Sequence, residues 1–187
     1  MNKQKIIRYL QSFVAIPLFA VAPLAGLTAL PSTAVTPNVV IQAQAITKQV
    51  ADDQKKADII DAFFASYDAP LEGYGIKFVT EADKNNIDWR LLPAIAMRES
   101  TGGKSACKSV SNSVFGYGSC KLGFKSIDES IEIVSRSLGG NNPNTANSYA
   151  GKTTTQILKK YNPDSIIPGY SKQVVKLMKM IDPSEVN

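Results

Sequence analysis

The 187-residue chain carries 21 Lys and Arg against 16 Asp and Glu, but three of the basic residues, Lys3, Lys5 and Arg8, precede a stretch without charge from Tyr9 to Thr47. Setting those three aside leaves 18 basic against 16 acidic residues, a net +2, too small an excess for the clustered basic surface that nucleic-acid binding requires. There is no histidine and no GxxxxGKS/T loop, so Ser-His-Asp and Cys-His nucleophiles, HExxH zinc sites and P-loop chemistry all lack a required part, and no metal or organic cofactor is implied.

The N-terminus reads as an export signal, with a basic start, an apolar core (Phe13 to Ile16, Leu18 to Val21) and the small-residue pattern Ala43-Gln44-Ala45, which predicts cleavage after Ala45. An uncleaved membrane anchor is the alternative. The segment from Ser12 to Leu30 approaches the roughly 20 residues that span a bilayer, although Pro17 and Pro23 interrupt it. The layout is therefore a signal over 1–45, a tether over 46–51 and one domain over 52–187, long enough to enclose a single core. The expected location is outside the cell or in its envelope, with transient membrane contact through the signal only, or a retained anchor if cleavage fails. Cys107 and Cys120, an even count in an exported chain, read as one disulfide, with two free thiols as the alternative.

Ile59, Ile60, Phe63, Phe64 and Tyr67 recur at helical spacing behind Asp52 or Asp53 as a cap, and Asp68-Ala69-Pro70 ends that helix. Phe78, Val79 and Ala82 follow the Gly73-Tyr74-Gly75 turn. Asp88 is placed to cap a third helix through Leu91, Leu92, Ile95 and Ala96 that closes on Glu99; Pro93 fits only if it falls in the first turn. Residues 102–125, rich in Gly, Ser and Asn around Val114-Phe115, read as loop and hairpin. Ser126 to Glu129 has capping-box form ahead of Ile127, Ile131, Val134 and Leu138, which Gly139-Gly140 stop. A second box, Thr153 to Gln156, opens a helix through Ile157, Leu158 and Tyr161 that Pro163 ends. The last helix follows Gly169, with Tyr170, Val174, Leu177, Met178 and Ile181 on its apolar side; Met178 and Met180 read as packing rather than ligands. The fold class is mainly α: about six helices and a small β-hairpin or loop segment.

Glu99 follows an apolar helix face and precedes two glycines, which places its carboxyl at a helix end beside a cleft. A carboxylic acid there can donate a proton to a leaving glycosidic oxygen; the bland reading is a surface Glu paired with Arg98 or Lys104. The segment "IDWRLLPAIAMRES" resembles the helix-terminal Glu-Ser of the lysozyme superfamily, with greatest likeness to bacterial glucosaminidase-type (mannosyl-glycoprotein endo-beta-N-acetylglucosaminidase-like) and lytic-transglycosylase-like cell-wall hydrolases. "NSVFGYG" (Asn112 to Gly118) is similar to that family's Asn-x-Phe-Gly hairpin, "FKSIDESIEIVSRSL" to its next helix, and "YAGKTTTQILKKYNP" with Tyr170 to its C-terminal end. The likeness runs from about Leu71 to Ile181.

The resemblance implies a lysozyme-like fold, a catalytic acid at Glu99, and a sugar groove lined by Ser100, Asn112, Phe115, Tyr117 and Tyr161, with Tyr149 and Tyr170 as weaker candidates. The implied partner is the glycan strand of peptidoglycan, cut at a β-1,4 link between N-acetylglucosamine and N-acetylmuramic acid by an enzyme expected to be monomeric. On the residues alone, Ser100 can be a cap, Asn112 a turn and Phe115 core. A second carboxylate is not evident, since no Asp or Glu lies between Ser100 and Ile127. That suits a transglycosylase or a substrate-assisted glucosaminidase or muramidase, and equally a catalytically inactive peptidoglycan-binding module of the same fold. A structural or partner-binding helical protein is a third reading, which leaves the ordered resemblance unexplained.

Overall fold

The computed structural model describes residues 37–186, and the expected signal falls largely outside them. Seven helices follow in order: α1 (Pro37–Ala65), α2 (Gly75–Lys84), α3 (Leu91–Ser100), α4 (Ile127–Leu138), α5 (Ala146–Tyr149), α6 (Thr154–Tyr161) and α7 (Tyr170–Ile181). Among the described residues there is no strand, so the architecture is mainly helical. No helix among them is long and apolar enough to cross a membrane.

Every residue of α3 from Leu91 to Met97 is buried, as expected of a helix apolar around most of its circumference. It packs on α7, while α1 packs on α2, α2 on α4 and α6 on α7. The surrounding core includes Ile60, Phe64, Phe78, Phe115, Ile131, Leu138, Leu158 and Met178, each fully enclosed. Burying a side chain of this size stabilises the fold by roughly 1.5–3 kcal/mol relative to leaving it in water. Phe78 sits between Phe64 and Phe115, with ring centroids 5.8 and 6.4 Å away. Met178 packs in this core, whereas Met180 is exposed.

Local chemistry accounts for several boundaries. Pro93 lies in the first turn of α3, where no intrahelical donor is needed. The Asp88 side chain accepts the Arg90 N–H at 2.9 Å and its carbonyl accepts that of Leu91, so Asp88 caps the turn that leads into α3 rather than the helix proper. Ser126 Oγ accepts the Glu129 N–H at 3.0 Å, but Glu129 reaches back to the Lys125 N–H, so this box is only half formed. The Thr153–Gln156 box is complete. Asp61 Oδ1 accepts the N–H groups of Gly73 and Gly75, fixing the turn into α2.

Three expectations need correction. The helix expected to begin at Asp52 begins at Pro37, so α1 includes residues 46–51. Asp53 is interior to that helix and takes bonds from Gln49 and Lys56 instead of capping it. Residues 102–125 form successive turns rather than a β-hairpin: Asn112, Gly116, Gly118, Ser119 and Cys120 all have φ between +53° and +64°, which breaks the extended backbone a ladder needs. The helix over 146–149 was not expected.

Arg90 supplies a long-range tie. Its Nε and Nη2 donate to the two oxygens of Asp88 at 2.9 and 2.6 Å, and Nη1 and Nη2 also donate to the carbonyls of Asp182, Ser184 and Glu185. The guanidinium is buried, and the chain after α7 is thereby held against the start of α3. Its partner Asp88 raises its pKa further despite burial.

Candidate active site

The site is built at the C-terminal end of α3. Thr101, at φ 53°, takes the helix into the left-handed region, and the N–H groups of Thr101 and Gly102 close on the carbonyls of Met97 and Ala96. Glu99 is therefore in the last turn, half-buried, with its side chain at the rim of the core. Tyr170, the first residue of α7, donates its hydroxyl to Glu99 Oε1 at 2.7 Å. Oε2 makes no hydrogen bond among the described residues and lies over Gly116, where an added Cβ would come within 3.1 Å of it.

Three tyrosines stack beside this carboxylate. Tyr117 and Tyr161 have centroids 6.4 Å apart and Tyr161 and Tyr170 6.1 Å apart, with planes within 29° and 18° of parallel. Tyr161 donates its hydroxyl to the Phe115 carbonyl at 2.6 Å, joining α6 to the turn-rich loop. The guanidinium carbon of Arg98 lies 5.8 Å from the Tyr170 ring centroid, and its Nε donates to Gln173. Burial holds Tyr161 and Tyr170 well above the ordinary tyrosine pKa, and the Glu99 carboxylate adds to the rise in both; burial also pushes Tyr149 up to about 12. All three remain neutral hydroxyl donors in the physiological range.

A cleft of about 600 Å³ opens between the 116–122 loop, α5 and the end of α6. Its lining includes Glu99, Gly116, Tyr117, Tyr149, Tyr161 and Asn162, with Thr145 and Ser148 on the α5 side. Among the described residues of this lining, Glu99 is the one carboxylate, and lysine and arginine are absent. The cleft offers flat apolar rings, hydroxyls and a single proton-transfer group, a combination suited to an uncharged, hydroxyl-rich ligand. No group of three acidic or thiolate side chains among the described residues is placed to hold a metal ion.

Of the residues expected in the groove, Tyr117 and Tyr161 join Glu99 there. The other three stand behind it. The Ser100 hydroxyl lies 2.7 Å from the Val114 carbonyl and 3.0 Å from that of Ala96 and accepts the Gly103 N–H, pinning the helix end to the loop. Asn112 donates to the Phe124 carbonyl at 2.8 Å from a left-handed turn, and Phe115 is wholly enclosed. Cys107 and Cys120 are joined as a disulfide with Cα atoms 5.7 Å apart, closing the loop that carries Phe115, Gly116 and Tyr117.

Gly116 and the Tyr170 contact were not singled out by sequence reasoning. Gly116 was read only as part of the 102–125 loop and of the Asn-x-Phe-Gly likeness, and Tyr170 is 71 residues from Glu99. Neither the protein-family models nor the curated proteins include a match to this chain.

Proposed function

We propose that this chain is an exported, lysozyme-like enzyme that cleaves the β-1,4-linked glycan strands of peptidoglycan, with Glu99 as the catalytic acid. The observation that carries this reading is the single carboxylate at the wall of an aromatic cleft, held on one oxygen by Tyr170 and open on the other. In the proposed reaction the Glu99 carboxylic acid gives its proton to the glycosidic oxygen, the bond from the anomeric carbon to that oxygen breaks, and positive charge develops on the ring. With no second carboxylate in the lining, the substrate supplies the nucleophile. A hydroxyl of the same sugar closes on the anomeric carbon and returns its proton to the Glu99 carboxylate, leaving an intramolecular anhydro ring. Capture through an N-acetyl group, followed by water, is the hydrolytic variant of the same site. Tyr117 and Tyr161 would present ring faces to the sugars, and the hydroxyl of Tyr149 would meet a polar edge.

The lone carboxylate also motivates a second reading, a peptidoglycan-binding module that retains the groove without turnover. Mass spectrometry of fragments released from purified peptidoglycan separates the two. Anhydro ends from the wild type and none from Glu99→Gln support a transglycosylase, and reducing ends support a hydrolase. Absence of fragments from the folded wild type, with retention on sacculi, would replace the enzyme by the module.

A further inference from the structure

A second concavity lies at the opposite end of α3 from Glu99. It has a volume of about 540 Å³, within the range of about 300–1,000 Å³ usual for ligand sites, and is built from the α2–α3 connection and the start of α6. Its walls carry Asp83, Asn86, Trp89 and Lys152. Trp89 is the sole tryptophan of the chain and is half-buried: it packs against the core yet remains open to solvent. It also borders a neighbouring concavity of about 420 Å³ that runs toward Lys55 and Asp182. The indole is thus a shared ridge between two hollows.

Four polar side chains around this ridge are uncommitted. The Asp83 carboxylate, the Asn86 amide, the Trp89 indole N–H and the Lys152 ammonium make no hydrogen bond or ion pair among the described residues. This differs from Asp88, whose two oxygens are spent on Arg90, and from the start of α6, where the Thr153–Gln156 box occupies the capping groups. The half-exposed tryptophan supplies an apolar platform, while free acceptors and donors beside it match adjacent hydroxyls. A single hollow would suit a small molecule; two that meet on one indole suit a linear one.

We propose that the Trp89 ridge is a glycan-binding site separate from the Glu99 cleft, taking pyranose units of a polysaccharide chain. A ring of the glycan stacks on the indole, Asp83 and Asn86 bond its hydroxyls, Lys152 contacts its oxygens, and the chain continues into the hollow beside Lys55. Leu91 and Glu99 are roughly 12 Å apart along the helix axis at 1.5 Å per residue. The two sites thus lie beyond opposite ends of one helix, and a polymer held at the ridge stays tethered while the cleft is vacated. This site does not depend on Glu99 being catalytic.

The lone tryptophan makes the test direct. The full chain carrying Glu99→Gln, which prevents turnover, is titrated with a soluble oligomer of β-1,4-linked N-acetylglucosamine while tryptophan fluorescence is followed. The expected result is a saturable change, weakened about tenfold by Asp83→Ala and by Asn86→Ala, both exposed positions whose variants should keep the parent circular dichroism. Tyr161→Ala, which alters the cleft, should leave the tryptophan titration in place. No fluorescence change at saturating oligomer would overturn the proposal. So would a change that Asp83→Ala and Asn86→Ala leave intact and Tyr161→Ala abolishes, since the tryptophan would then be sensing the cleft. Fragment release by the wild type is measured separately, so a failure of the enzyme reading is distinguishable from a failure of this one.

Discussion

Gly116→Ala probes the contact between the loop and the carboxylate, and Gly151→Ala calibrates it. Gly151 has φ +68° with nothing within 4 Å of an added Cβ, so its substitution reports backbone conformation alone. An L-residue in the left-handed region costs about 1–2 kcal/mol, offset by about 0.4–1 kcal/mol from the smaller entropy of the unfolded chain, which leaves about 1 kcal/mol. Gly116 has φ +62°, and its Cβ would meet Glu99 Oε2 at 3.1 Å. The carboxyl must then swing by a few tenths of an ångström against its bond from Tyr170, adding about 1 kcal/mol of rotamer strain. At about 3–4 °C per kcal/mol for a domain of this size, Gly151→Ala should lower Tm by about 4 °C and Gly116→Ala by about 7 °C. Because an error of 1 Å at a reacting group can cost about a hundredfold, glycan cleavage by Gly116→Ala should fall on the order of tenfold. Equal Tm losses for the two variants, with cleavage by Gly116→Ala unchanged, would refute both the Gly116–Glu99 contact and the catalytic reading of Oε2.

Three further outcomes follow from groups away from the cleft. Arg90→Met strands the Asp88 carboxylate and releases the backbone after α7, and should cost about 3–5 kcal/mol in chemical denaturation; a loss below about 1 kcal/mol would show that the tie is idle. Glu81 is buried, and although burial alone would raise its pKa, hydrogen bonds and ion pairs with Lys84 and Lys77 outweigh that and lower it. Its folded pKa lies below the unfolded one, so its contribution is full above about pH 4.5 and is lost as pH falls through the folded value. Glu81→Gln should therefore flatten the acid limb of a stability–pH curve, and an unchanged slope would contradict the assignment. Reducing Cys107–Cys120, which closes a loop of 13 residues in sequence separation, should cost about 3 kcal/mol by the loop-entropy relation, read as a lower Tm in reductant.

Much of the helical framework was legible because its signals are local. Leu91, Leu92, Ile95 and Ala96 mark a helix that must be enclosed, Pro93 is tolerated in its first turn, and Thr153 with Gln156 announces the start of α6. The position of Glu99 at a helix end came from the same kind of signal, an apolar run followed by residues that leave the right-handed region. The start of α1 was misplaced because residues 37–52 lack apolar periodicity, and propensity without a buried stripe leaves little pattern to read. The hairpin was misjudged for a related reason: Val114 and Phe115 suit a strand, yet the left-handed residues on either side commit the segment to turns.

What the sequence determined by itself is six of the seven described helices, the capping box that opens α6, and the helix-terminal placement of one carboxylate. What only the tertiary structure decided is the company that carboxylate keeps. Tyr170 reaches Glu99 across 71 residues because α7 packs on α3, and Tyr161 reaches the Phe115 carbonyl across 46. Ser100, Asn112 and Phe115 were turned away from the cleft by bonds and burial that no spacing announces. A helix is specified by neighbours three and four positions away, whereas a cleft is specified by which helix faces meet, and that choice is made by burial of the whole core at once.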